Sequence, residues 1–226
     1  MIERFIQDLP SLLLSLPIIL FALSAHEAAH GYMAYRLGDP TARNFGRLTL
    51  NPLKHLDPVG FICMLFFGFG WAKPVPVTTR NFNKPRRDMA LTGIAGPLAN
   101  ILIAFASIIL LRIYVIFVDP VDLLYGDGIA SMASYLLFVF LFSSISLNLS
   151  LAVFNMLPVP PLDGSRFCYI FLPTKLYFGV MKYERYISLA IMLLLFLGVL
   201  SGPLGWIVDK LMWLMCRLVA MPSWVY

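Results

Sequence analysis

Charge is what this 226-residue chain has least of. Asp, Glu, Lys and Arg make up 13% of it, about half the ~25% usual in soluble domains. With 60% hydrophobic residues and a mean hydropathy of +0.82, an ordinary water-soluble domain is excluded and an integral membrane protein is implied. Cysteine is scarce too. Cys63, Cys168 and Cys216 form no CxxC pair, which leaves no disulfide framework and reads as three small apolar residues. A cleavable leader is also missing by pattern: Glu3 and Asp8 flank Arg4, and the first apolar run carries a motif that would be kept. The net charge of +5 argues for no nucleic-acid partner, because most of it gathers in one loop, where in a membrane protein it sets orientation.

What is present is a series of apolar runs, each near the ~20 residues a spanning helix needs. They predict spans over about 11–37, 89–118 and 130–156, with further C-terminal spans within about 187–218 broken by Ser201-Gly202-Pro203. The fold class expected is a mainly α, polytopic helix bundle of four to five spans. All of it forms a single integral-membrane domain over 1–226, with a core of 11–166. Between the first two spans, 38–88 mixes basic residues with Phe61-Ile62-Cys63-Met64-Leu65-Phe66-Phe67 and a proline-extended Lys73-Pro74-Val75-Pro76-Val77. This predicts a membrane-interface β-hairpin with a re-entrant element, a candidate substrate cradle that could add a strand to an unwound substrate helix. Nine Lys or Arg against three Asp in 36–88, and only Asp119, Asp122 and Asp127 in the loop 119–127, put the first inside and the second outside.

Within the first run lies His26-Glu27-Ala28-Ala29-His30. On a helix, positions four apart share a face, so both imidazoles can reach one metal while Glu27 reaches a metal-bound water. From Ser11 to His26 is about 22 Å of helix and from His30 to Leu37 about 10 Å, which puts the motif within the bilayer, nearer its cytoplasmic side. Ionisable groups in a span are costly and usually functional. A hydrolytic zinc site needs a third ligand and an open position. Outside the first helix the donors to weigh are His55, Asp163 and the acidic loop, and that loop lies on the opposite side. Asp163 follows Pro158, Pro160 and Pro161 and precedes Gly164, so its carboxylate sits on a stiffened turn. It is favoured over a plain solvated Asp-Gly turn.

His26 to His30, together with Asn155-Met156-Leu157-Pro158-Val159-Pro160-Pro161-Leu162-Asp163-Gly164, resembles the site-2 protease family of zinc metalloproteases, in its small prokaryotic branch without a PDZ domain. Gly96-Pro97-Leu98-Ala99-Asn100, the segment 51–60 and Lys73-Pro74-Val75-Pro76-Val77 resemble that branch as well, and the likeness runs over about 20–166. Ser165 departs from it, since relatives often carry a second glycine there. The resemblance implies one Zn2+ per chain on His26, His30 and Asp163. Glu27 would be general base for the zinc-bound water and then proton donor to the leaving amine, and Asn155 would bond the substrate or transition state, a role weighed equally with capping or bridging helices. Asn100 is expected in helix packing more than in substrate contact, and His55 either tunes the reaction or is a turn histidine. The partner implied is a transmembrane protein substrate in the lipid bilayer of a prokaryotic inner membrane. Two rivals are a metal transporter, whose ligands would spread along a path, and an inactive membrane chaperone.

Overall fold

The first apolar run folds as one helix, α1 (Ile2–Arg36). It stops where Gly38 takes a φ of 107°, a left-handed backbone open to glycine, and the Asp39 N–H turns back to the Ala34 carbonyl at 2.9 Å. The structure is a computed structural model that describes residues 2–67, 70–118 and 128–226. Three short helices follow: α2 (Thr41–Asn44), α3 (Pro52–His55) and α4 (Pro58–Phe67). The Asn51 side chain accepts from Leu53 N–H to start α3, with Pro52 at a position where no N–H is needed. Then come α5 (Pro85–Phe117), α6 (Ile129–Asn155), α7 (Asp163–Cys168), α8 (Thr174–Lys182), α9 (Glu184–Phe196) and α10 (Ser201–Leu218).

Helices α1, α5 and α6 pack on one another, and α10 packs on α6. The seam of α5 and α6 is read directly from sequence period. Ala104, Ile108, Leu111 and Val115 face Leu141, Ile145, Leu149 and Val153, every one buried. Polar pairs stitch the same seam: Ser107 Oγ lies 2.9 Å from Ser144 Oγ, and Tyr114 donates its hydroxyl to the Ser134 carbonyl at 2.8 Å. Such interhelical bonds and small residues hold helices together where lipid gives no hydrophobic drive.

Two expectations are not met among the described residues. Among the described residues three helices, not four or five, are long and apolar enough to span: Leu13–Arg36 of α1, Pro85–Phe117 and Ile129–Asn155. Helix α9 has only 13 residues, and α10, at 18, carries Asp209, Lys210 and Arg217. The interface hairpin is also absent among the described residues, where a lone antiparallel bridge joins Leu56 to Ala72. The run at Phe61 is helical as α4, and Pro74 and Pro76 lack the N–H groups a ladder would use. The acidic loop 119–127 lies outside the described residues.

Asp39 ties this segment back to α1. Its buried carboxylate accepts from the Thr41 N–H (3.1 Å), the Thr41 hydroxyl, the Thr78 N–H (2.7 Å) and the Asn81 amide (2.8 Å). Burial alone would raise its pKa, but these donors outweigh it and leave it below the ordinary carboxylate value. A depressed folded-state pKa adds stability that is present above about pH 4 and lost as pH falls through the lower folded value. Asp39→Asn, which puts an NH2 where only acceptors fit, is expected to cost about 2 kcal/mol in a neutral-pH unfolding titration. It should also flatten the acid limb of the stability curve.

Candidate metal centre

One turn of α1 separates His26 from His30, and the helix brings their Nε2 atoms to 3.0 Å. Asp163 opens α7 and puts its Oδ2 3.0 Å from His26 Nε2 and 3.1 Å from His30 Nε2. All three are buried. Gly164 makes that approach possible, because a Cβ there would run into the Met156 and Leu157 carbonyls.

The other ring nitrogens decide what the triangle is for. His30 Nδ1 sits 2.6 Å from the Thr92 carbonyl, which can only accept, so Nδ1 carries the proton and Nε2 a lone pair. His26 Nδ1 sits 2.6 Å from Asn100 Oδ1 and donates in the same way. Three lone pairs about 3 Å apart repel unless a cation joins them. A proton satisfies one edge of the triangle; a zinc ion satisfies all three. With bonds of about 2.0–2.1 Å, tetrahedral zinc sets its ligand atoms roughly 3.3 Å apart, close to the spacing here. These residues are the group that could hold a metal ion among those described. Gly96 of α5 forms the facing wall: a Cβ there would come 2.6 Å from His26 Nε2 and closer still to His30 Nε2.

Glu27 is half-buried beside the triangle. Its Oε2 accepts from the Val75 N–H at 2.8 Å, so the proline-flanked segment is docked on the proposed base. Gly31, the next residue after His30, lets that segment close in. A Cβ on it would lie 2.8 Å from Leu48 Cδ2 and 3.2 Å from Val75 Cγ1. Arg166 lies 3.7 Å from the second Asp163 oxygen.

The remaining sequence candidates divide. Asn100 is brought to the centre as the partner of His26, a more specific position than the helix packing expected for it. Asn155 ends α6 with its amide donating to its own helix, at the Leu151 carbonyl (3.0 Å). His55 is buried in α3, donates Nε2 to the Thr49 carbonyl (2.8 Å), and is not among the clustered donors. Thr92, Gly96 and Val75 act through backbone or through the lack of a side chain, so no residue type announced them. Asn148, which touches Asn100, had one signal: it is an amide inside an apolar run.

Comparison with known proteins agrees with this chemistry. Residues 116–199 match peptidase family M50, a stretch holding Asn155 and Asp163. Zinc metalloprotease YwhC of Bacillus subtilis is 41% identical over 207 residues, covering 90% of each chain. Zinc metalloprotease Rip2 of Mycolicibacterium smegmatis is 30% identical over 64% of this chain and 52% of its own. Zinc metalloprotease MJ0611 of Methanocaldococcus jannaschii is 32% identical over 66% and 70%. No solved structure matches. A likeness that runs nearly end to end with YwhC, on a chain with three helices among the described residues long and apolar enough to span, makes this a membrane zinc metalloprotease belonging to peptidase family M50, the site-2 protease family.

Proposed function

We propose that the chain is an intramembrane endopeptidase, holding one zinc ion per chain on His26, His30 and Asp163 and cutting a peptide bond in or near a transmembrane segment of another protein. One observation carries the reading: Asp163 of α7 meets His26 and His30 of α1 within a candidate span, at the turn that also carries Glu27. Zinc bound there supplies a Lewis acid that polarises the scissile carbonyl and brings the pKa of water down to about 7. The chain's residues supply the rest. Glu27 accepts the proton of the attacking water and returns it to the leaving amine. To do so it turns from the Val75 N–H, its partner at rest. Asn155 turns its amide from Leu151 toward the developing oxyanion. The basic segment after α1 favours a cytoplasmic position for this end of the helices in a prokaryotic inner membrane.

A metal transporter would string donors along a path, whereas these meet at one point, and Glu27 is held apart from them by a backbone bond. The test is cleavage of a transmembrane reporter in proteoliposomes. Activity should vanish on chelation and return with one equivalent of zinc, and Asp163→Ala should bind no zinc and cut nothing. Zinc flux across the vesicle without cleavage would replace the protease reading with the transporter.

A further inference from the structure

Two fully buried asparagines lie in the spans, Asn100 on α5 and Asn148 on α6, and they are bonded to each other. Asn148 donates Nδ2 to the Ser144 carbonyl at 2.8 Å. A carbonyl only accepts, so the atom facing it must be the NH2, and Asn148 turns its Oδ1 toward α5. There it accepts from Asn100 Nδ2 at 3.0 Å, which leaves Asn100 Oδ1 for His26 Nδ1 at 2.6 Å. Asn100 Nδ2 also lies 3.4 Å from the Ala22 carbonyl, too long to set the orientation alone.

The polarity therefore passes from a backbone carbonyl on α6, through two amides, to the ring of a metal ligand on α1. We infer that Asn148 is a positioning residue for the metal: by fixing which way the Asn100 amide faces, it makes His26 carry its proton on Nδ1 and offer a lone pair at Nε2. Without Asn148, Asn100 is free to flip. Its NH2 then faces His26 Nδ1, which must accept, and the proton moves to Nε2, where it blocks the ligand position. Partners of metal-ligating histidines typically matter 10–100-fold in affinity. The inference rests on the zinc reading above but not on proteolysis.

The test is zinc affinity by chelator competition in detergent-solubilised full-length protein, with helicity followed by circular dichroism. Asn148→Leu should bind zinc about 10–100-fold more weakly at unchanged helicity. Asn148→Asp, which still offers an acceptor to Asn100, should recover most of that loss. The decisive background is Asn100→Asp, whose carboxylate has no wrong face. There, adding Asn148→Leu should weaken zinc no further. An equal loss in both backgrounds, or failure to fold in both, makes Asn148 a structural residue and overturns the relay. Unchanged affinity in Asn148→Leu alone overturns it as well. If wild type itself binds no zinc, it is the protease proposal that fails instead.

Discussion

Glu27→Gln is expected to keep zinc at wild-type stoichiometry and to cut the transmembrane reporter about 10²–10⁴-fold more slowly. The substitution isolates one property. Gln has the length of Glu, and its amide oxygen can still accept from the Val75 N–H now 2.8 Å away, so the docked segment has no cause to move. The cluster of His26, His30 and Asp163 that could hold the metal does not include position 27, so metal content should not change. What is lost is the ability to take a proton near neutral pH. Metal content by elemental analysis and cleavage measured on the same preparation separate the two effects. Cleavage at the wild-type rate with zinc bound would remove Glu27 from the role of base.

Gly96→Ala should have an effect as large by another route. The new methyl would sit 2.6 Å from His26 Nε2 and nearer to His30 Nε2, closer than real Cβ atoms come to anything. Either α5 backs away from α1 or the metal position is filled by carbon. Both outcomes should lower zinc affinity on the order of 100-fold or more and abolish cleavage, with no rescue by excess zinc. The fold should survive, since Ala is the better helix former by about 1 kcal/mol. Gly205→Ala, where a Cβ meets nothing within 4 Å, is the matched control and should bind zinc as wild type does. If Gly96→Ala binds zinc with wild-type affinity, the wall drawn around this centre is misplaced.

The parts of this site that sequence makes legible are those a single periodicity can carry. His26, Glu27 and His30 sit within one turn, so helix geometry alone puts two candidate ligands on one face. Asp163 was within reach because prolines and a glycine mark its turn and because the surrounding motif resembles a known family. Asn100 lies in a legible motif, but its partner on another helix is not legible, and packing is the simpler reading of it. Asn148 carries no mark of its role for the same reason, since its meaning depends on which helix lies opposite. The run at Phe61, expected as a short re-entrant element, is helical, and short apolar runs suit strand and helix alike. In the neighbouring 73–77 no strand forms, because an extended backbone becomes a strand only if its N–H groups find a partner strand. Here Lys73 N–H goes to the His55 carbonyl and Val75 N–H to Glu27, and the two prolines have none. While Glu27 keeps that bond, only carbonyls are left for an incoming substrate strand between 73 and 76.

The bond between Val75 and Glu27 also bears on how mutational scans of this protein are read. Its donor is main chain, so alanine, leucine or lysine at position 75 all preserve it, and a side-chain scan will score the position by hydrophobic fit alone. Only proline deletes the donor, and Val75 already stands between Pro74 and Pro76. In any such data set the proline column at Val75, set against its alanine column, is where the contribution of this contact would be visible.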